Sequence, residues 1–236
     1  MSYDYSYGAS VADSRADVRA AFIRRTYMHL GAAILAFAGI QFLLFTQAPG
    51  LVQTIVGAMQ GSMVGMIVMM ALFIGVSYVA QMWAMSSTSI GMQYAGLGLY
   101  VVLEALIFVP ILYFANQMTD KTVIPTAGVL TLATFGGLTA AVLVTGKDFS
   151  FLGPIIAVAS MIALGVMVAG LLFGFGLGLF FSFAMVALAS ACILYQTSNI
   201  LHQYNPSQHV AAALALFASV AMLFFWILRI VMASRE

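Results

Sequence analysis

The chain has 236 residues, of which 64% are hydrophobic and only 6% are charged. Soluble globular domains carry roughly 25% charged residues, so this composition excludes a soluble domain and predicts an integral membrane protein in a lipid bilayer. The formal net charge of +1, without a basic stripe or an acidic tail, gives no expectation of nucleic acid as a partner.

The first 25 residues contain nearly half of the charged side chains. They do not resemble a signal peptide, because the charged region is too long and no small-residue cleavage pattern follows the first apolar run. Apolar residues at positions 11, 18, 21 and 22 fall near one helical face, with Arg15 and Arg19 on another, which predicts a short interfacial helix. We therefore assign residues 1–26 to a cytoplasmic arm containing this helix, with a disordered tail as the alternative for residues 1–9.

Residues 27–236 are predicted to form one all-α transmembrane domain of seven helices. A helical span needs about 20 mostly apolar residues, and seven stretches of the chain meet that criterion. The predicted spans are residues 27–45, 63–85, 90–115, 123–145, 151–173, 177–201 and 209–232. The joint at Gly174 and Gly176 is so short that the fifth and sixth spans are expected to form a tight antiparallel hairpin.

The distribution of arginines predicts the orientation of the spans. Four arginines precede the first span and favour a cytoplasmic N-terminus. Seven full crossings would place Arg229 and Arg235 on the opposite side, which the same rule disfavours. Either the last span crosses and these arginines snorkel outward, or it is re-entrant; we favour seven crossings, with Trp226 as an interfacial anchor in both cases.

Glu104 is the one charged residue deep inside an apolar stretch, residues 98–115. A charge at membrane depth costs on the order of 3 kcal/mol on insertion scales, so such a residue generally serves a pathway, a switch or a partner. One interpretation is an acid that only joins helices through Tyr100, one turn earlier, or through another span. The other is an acceptor of protons or cations.

The remaining polar residues do not predict an enzyme or a cofactor. The lone Cys192 precludes an internal disulfide, and His29, His202 and His209 lack metal-ligand spacing. The chain has no nucleophile motif and no intramembrane aspartate pair of the kind that an aspartyl protease needs. Gln196, late in the sixth span, needs a partner if it is buried, and Ser219 is expected to serve helix packing.

Four motifs occur in order along the chain and together resemble the Bax-inhibitor (transmembrane Bax-inhibitor-motif) family. They are RTYMHLG at residues 25–31, KDFSFLG at 147–153, LYQT at 194–197, and HVAAALALF at 209–217 with ILRI at 227–230. The resemblance implies six spans wrapped round a central seventh, in a protein that is expected to lie in a bacterial inner membrane.

Several members of that family are pH-sensitive calcium leaks, and the resemblance implies a gate made of two aspartates that share a proton. The corresponding positions here are Gln196 and Ser219, with Tyr195, Thr197 and Tyr100 as supporting residues. A neutral pair keeps a hydrogen-bonding contact but loses the carboxylate repulsion that makes a pH switch. Glu104 is then the remaining intramembrane acid for a cation or proton.

Two hypotheses follow. The first is a cation leak, of calcium or protons, in which Glu104 interacts with the ion and the aspartate gate is altered or lost. The second is a non-conducting regulator that binds another membrane protein, such as a membrane protease. The oligomeric state is left open by the sequence.

Overall fold

The computed structural model of the protein describes residues 10–60, 63–86 and 89–235. In these residues the regular structure is a 3-10 turn at Val11–Asp13 and eight α-helices, without a β-strand. The helices are α1 (Ala16–Gln47), α2 (Pro49–Gln60), α3 (Met63–Ala84), α4 (Ile90–Gln117), α5 (Val123–Thr145), α6 (Leu152–Phe173), α7 (Leu179–His202) and α8 (His209–Ala233). The tail considered for residues 1–9 lies outside the described residues.

Six of these helices, α1 and α4 to α8, are long and apolar enough to cross a bilayer. Together with the composition, they make the chain an all-α integral membrane protein. The predicted second span corresponds to α3, which has 22 residues. Within α3 the stretch Ala71–Ala84 is apolar but shorter than a full span.

The short interfacial helix that was predicted to lead into the first span is the first part of one long helix. After the 3-10 turn, α1 runs without a break for 32 residues, so residue 26 lies inside a helix. No glycine or proline interrupts residues 16–30, and nothing therefore ends the helix before the membrane. The turn is held by Arg19, whose guanidinium donates to the carbonyl of Ala12 at 2.6 Å.

The helix α2 was not predicted, because residues 46–62 were treated as a joint between spans. It begins at Pro49, a residue well suited to the first helical position, and buries Val52 and Val56 on one face. These two valines pack on Val109 of α4. The spacing of four residues was a readable signal of an amphipathic helix.

The most buried span is α8, which contacts α1, α3, α4, α5 and α7. In the 18-residue apolar stretch of α8, 72% of the residues are buried, whereas 11% are buried in the corresponding stretch of α6. Small residues at Ala211, Ala212 and Ala213 allow neighbouring helices to approach closely. Consequently, side chains of α8 are available to several helices at once.

The two ends of α8 lie at opposite faces of the bundle. His209, at its start, lies against His29, which is in α1 where the predicted first span begins, with ring centroids 5.1 Å apart. Beyond its other end, Arg235 pairs with Asp120 of the α4–α5 loop at 2.9 Å. Its 25 residues extend about 37 Å, which is long enough to cross the hydrocarbon core of a bilayer.

Trp226 does not occupy the interfacial position that the sequence predicted, whereas Arg229 reaches towards the α6–α7 loop. Trp226 is 5% exposed and packs edge-on against Phe181, so it is a buried residue and not an interfacial anchor. Arg229 does not snorkel freely, because it donates to the carbonyl of Leu177 at 2.7 Å and lies over the Trp226 ring. A loop carbonyl and an aromatic face thus take the place of water for this guanidinium.

The predicted hairpin between α6 and α7 is present. Gly174 ends α6 in the left-handed conformation, with φ of +72°, a conformation that a residue with a side chain rarely adopts. The two helices pack against each other along the membrane-spanning part of the bundle.

Candidate functional site

A cavity of about 550 Å³ lies between α3 and α4 on one side and α6 and α7 on the other, with α8 behind it. Methionine, phenylalanine and small aliphatic residues form most of its wall. The polar or ionisable residues of the lining are Gln81, Tyr100, Glu104, Cys192, Gln196 and Ser219. The cavity therefore brings together the acid of α4 and the two residues, Gln196 and Ser219, that the sequence resemblance predicts at the gate positions.

Glu104 is 6% exposed and lies on the wall formed by α4. The hydroxyl of Tyr100, one helical turn earlier, approaches its carboxylate. Within the described chain, the ion pairs are Arg15 with Asp17 and Arg235 with Asp120, so Glu104 has no cationic partner there. A buried carboxylate without a counter-ion is costly, and the cavity is where a cation or proton could reach it.

Gln196 and Ser219 line the same cavity from α7 and α8. Ser219 donates its hydroxyl to the carbonyl of Ala215 in its own helix, at 3.0 Å, which leaves oxygen lone pairs available. No hydrogen bond of the Gln196 amide is found within the described residues, and the two side chains do not bond each other. Both positions therefore present neutral polar groups to the cavity.

Tyr195 and Thr197, predicted as supporting residues, face away from this cavity. The ring of Tyr195 lies against Gly153 of α6, where an added Cβ would come within 3.1 Å of it. Thr197 is fully buried and lies near the hydroxyl of Tyr27 on α1. Successive positions of a helix point in different directions, so Gln196 alone of these three reaches Glu104's cavity.

Aromatic rings close the cavity towards the C-terminal end of α8. Phe108 stacks on Phe224 with centroids 5.7 Å apart and meets Phe225 edge-on at 5.6 Å. Phe225 in turn meets Trp226 at 5.2 Å. The cavity lining extends along α8 from Ala211 to Trp226, a rise of about 22 Å, and ends at these rings.

A second polar cluster, which the sequence did not predict, joins His29 of α1 to the starts of α4 and α8. Nδ1 of His29 lies 2.7 Å from the carbonyl oxygen of Arg25, so it is assigned the hydrogen. Nε2 then accepts from the Tyr94 hydroxyl at 2.8 Å in the neutral ring. The ring of His209 lies tilted against that of His29, and its Nδ1 is buried without a partner in the described structure.

The loop before α6 is fixed by Asp148. Its carboxylate accepts from the backbone N–H of Ser150 at 2.8 Å and from the Ser198 hydroxyl at 3.2 Å. The same Ser198 oxygen accepts from the N–H of Phe149, which ties the loop to α7. The N–H and hydroxyl of Ser150, followed by the Ser198 hydroxyl, hold the pKa of Asp148 below its usual range because they favour the ionised carboxylate.

The chemistry available to this cavity is that of one carboxylate with neutral oxygen donors. No group of three His, Cys, Asp or Glu side chains that could hold a metal ion occurs among the described residues. A cation in the cavity would therefore meet one carboxylate, two amides and two hydroxyls, a set suited to transient contact with a hard cation.

The chain is similar to proteins of bacteria and of a plant. A family model described as "Inhibitor of apoptosis-promoting Bax1" matches residues 19–236. An uncharacterized protein of Pseudomonas aeruginosa is 39% identical over 110 residues, covering 46% of this chain and 49% of that protein. A BI1-like protein of Arabidopsis thaliana is 31% identical over 119 residues, covering 48% of this chain and 46% of that protein.

The chain thus spans about half the length of each of these two curated relatives. A third relative matches over nearly all of both chains. It is the "Modulator of FtsH protease YccA" of Escherichia coli K12, which is 29% identical over 222 residues, 91% of each protein.

Proposed function

Because this chain belongs to the Bax inhibitor-1 family, we propose that it is a cation-leak protein of a bacterial inner membrane in which Glu104 is the ion-interacting group. One observation carries the proposal: Glu104, Gln196 and Ser219 line a single cavity. The acid that meets the ion then lies on α4 instead of on α7 and α8. Calcium is the expected ion, as a transported species and not as a resident cofactor.

The proposed topology has seven spans, with α3 as the second and α8 at the centre. The contacts of α8 with five other helices support the central position. With seven crossings, five of the eight cationic residues fall on the side of the N-terminus, which supports a cytoplasmic N-terminus. These five are Arg15, Arg19, Arg24, Arg25 and Lys147.

In this proposal the cavity is a vestibule and the aromatic layer is the barrier. A cation entering the cavity gains the attraction of Glu104, and hydroxyl and amide oxygens replace part of its water shell. Phe108, Phe225 and Trp226 separate the cavity from the opposite face. Conduction requires these rings to move apart, because a dry aromatic layer excludes a hydrated ion.

Purified protein in liposomes loaded with a calcium dye tests the leak directly. We expect influx above that of empty liposomes and a loss of influx in Glu104→Gln. Influx equal to that of empty liposomes at every pH from about 5 to 7.5 would refute the proposed leak.

The second candidate function is a non-conducting regulator that binds a membrane protease. It is favoured by the relative named as a modulator of FtsH protease, which matches over 91% of both chains. The exposed arginines of α1, Arg24 and Arg25, would be a contact surface for an acidic partner. Arg15 precedes the helix and pairs with Asp17. Arg19 is not free for this role, since it holds the N-terminal turn.

Crosslinking in membranes followed by affinity capture distinguishes this candidate from the leak. A stoichiometric protease partner that is lost in Arg24→Glu/Arg25→Glu, while the capture yield of the chain itself is unchanged, supports it. Recovery of no partner in stoichiometric amount counts against it.

A further inference from the structure

The cavity around Glu104 is much larger than a metal ion requires. Its volume of about 550 Å³ lies within the range of roughly 300–1,000 Å³ that is typical of sites for organic ligands. Such sites have mainly apolar walls and a few convergent polar groups. Here Met167, Met185, Met222 and Phe225 belong to an apolar wall. The polar groups that line the cavity with Glu104 are Gln81, Tyr100, Gln196 and Ser219.

The cavity is accessible from the side of the bundle. The helix α3 packs on α2, α4 and α8 but makes no extended contact with α6 or α7 in the described part of the chain. Phe73 of α3 and Met167 of α6 line the two sides of this gap and are half-buried. Both belong to apolar helices, so the gap faces the hydrocarbon region of a bilayer, and a molecule dissolved there could enter laterally.

The electrostatics of the lining select a cation. Glu104 is the carboxylate of the lining, and none of the described lining residues is a lysine, an arginine or a histidine. Tyr100, Phe108 and Trp226 add aromatic rings, whose faces attract cations. Arg229 lies over Trp226, outside the lining at the closed end, which favours a charged group at the Glu104 end and an apolar body towards the rings.

We propose that this cavity binds an amphiphilic amine that enters from the bilayer, with its ammonium group at Glu104 and its apolar chain along the methionine and aromatic wall. The ammonium donates hydrogen bonds to the Glu104 carboxylate, and Gln196 and Ser219 offer further acceptors. The inference rests on the proposed role of Glu104 as the cation-interacting group. A bound amine would occupy the vestibule and block the leak.

Trp226 provides a reporter inside the cavity, because the chain has two tryptophans and the other, Trp83, can be replaced by phenylalanine. In nanodiscs of one lipid composition, fluorescence of the Trp83→Phe protein is titrated with 12-bromododecylamine and, separately, with 12-bromododecanol. Both probes carry the same quenching bromine and differ in charge. We expect half-maximal quenching at a membrane concentration at least fivefold lower for the amine than for the alcohol.

Glu104→Gln in the same Trp83→Phe background is the matched variant, since it keeps the shape of the side chain and removes its charge. In Glu104→Gln, the membrane concentration of the amine that gives half-maximal quenching should rise to about that of the alcohol. Glu104→Asp should keep most of the preference for the amine. General attraction of the amine to the bilayer is the same in both proteins and therefore cancels in the comparison.

Equal quenching by the two probes in the Glu104 protein would overturn the proposal and assign the cavity to an ordinary lipid chain. Absence of quenching by either probe would overturn it as well. Calcium influx, measured on the same proteins without a probe, separates this result from the proposed function. If the Glu104 protein prefers the amine but shows no calcium influx, only the proposed leak is refuted. If its influx is lost in Glu104→Gln but it shows no preference for the amine, only the proposed ligand is refuted.

Discussion

Replacing Glu104 by glutamine should reduce calcium influx at least tenfold at neutral pH. The two side chains have nearly the same shape, so the cavity and its packing are retained and only the charge is removed. At about 4 Å and an effective dielectric constant near 20, one unit charge attracts another by about 4 kcal/mol, and a divalent ion by about twice that. Partial hydration of the ion lowers this figure, and a residual effect of about 1.4 kcal/mol already gives a factor of ten.

The assay is calcium influx into dye-loaded liposomes at matched protein density, between about pH 5 and pH 7.5. Influx through the Glu104 protein should rise with pH, because only the ionised carboxylate attracts the cation, and influx through the Gln variant should be low and independent of pH. Glu104→Asp is the control, since it keeps the charge. Influx through Glu104→Gln within about twofold of the parent at neutral pH would refute the reasoning.

Two further predictions concern the scaffold. Gly96→Ala should lower the unfolding free energy by about 1–3 kcal/mol, because its Cβ would lie 2.5 Å from the Ala80 carbonyl oxygen of α3. Gly98→Ala is the control, since its Cβ would meet open space, and it should leave the stability unchanged in the same thermal unfolding assay. Asp148→Asn should melt at a lower temperature than the parent protein at neutral pH, and this difference between the two proteins should disappear as the pH is lowered below about 4. The reason is that the lowered pKa of Asp148 gives the folded state a stability that is lost as the pH falls through the folded-state pKa. The first prediction would be contradicted if Gly96→Ala were as stable as Gly98→Ala. The second would be contradicted if Asp148→Asn still melted at a lower temperature than the parent in acid.

Six of the seven spans predicted from hydropathy correspond to helices that are long and apolar enough to cross a membrane, because a bilayer imposes a length and an apolar composition on each spanning helix. It did not predict α2, although Pro49 and the pair Val52 and Val56 were readable, since 12 residues are too few to span a membrane. The short helix predicted in the N-terminal arm and the first span both belong to α1, which continues through residue 26. Charge density suggested a boundary there, but nothing in the local sequence ends a helix.

The candidate site was predictable in its residues but not in its geometry. Glu104 stands out by its cost at membrane depth, and the motif comparison indicates Gln196 and Ser219. Their meeting in one cavity depends on how α4, α7 and α8 pack, which no local pattern specifies. The same packing sends Tyr195 and Thr197 elsewhere.

The contact of His29 with His209 could have been inferred from topology. With seven crossings, the starts of the first and last spans lie on the same face, as does the start of α4 with Tyr94. Spacing along the sequence does not reveal such a cluster, because its members are 65 or more residues apart. The burial of Trp226 depends likewise on the packing of Phe181 against it, a tertiary contact.

The central claim is that Glu104 acts through the cavity it shares with Gln196, and a charge exchange tests it most directly. Glu104→Gln/Gln196→Glu moves the carboxylate across the cavity without changing composition or side-chain length. Our account predicts that this variant regains most of the calcium influx lost in Glu104→Gln, whereas Glu104→Gln/Gln117→Glu, with its carboxylate at the end of α4 outside the cavity lining, does not. Influx of the exchanged variant as low as that of Glu104→Gln alone would contradict the account.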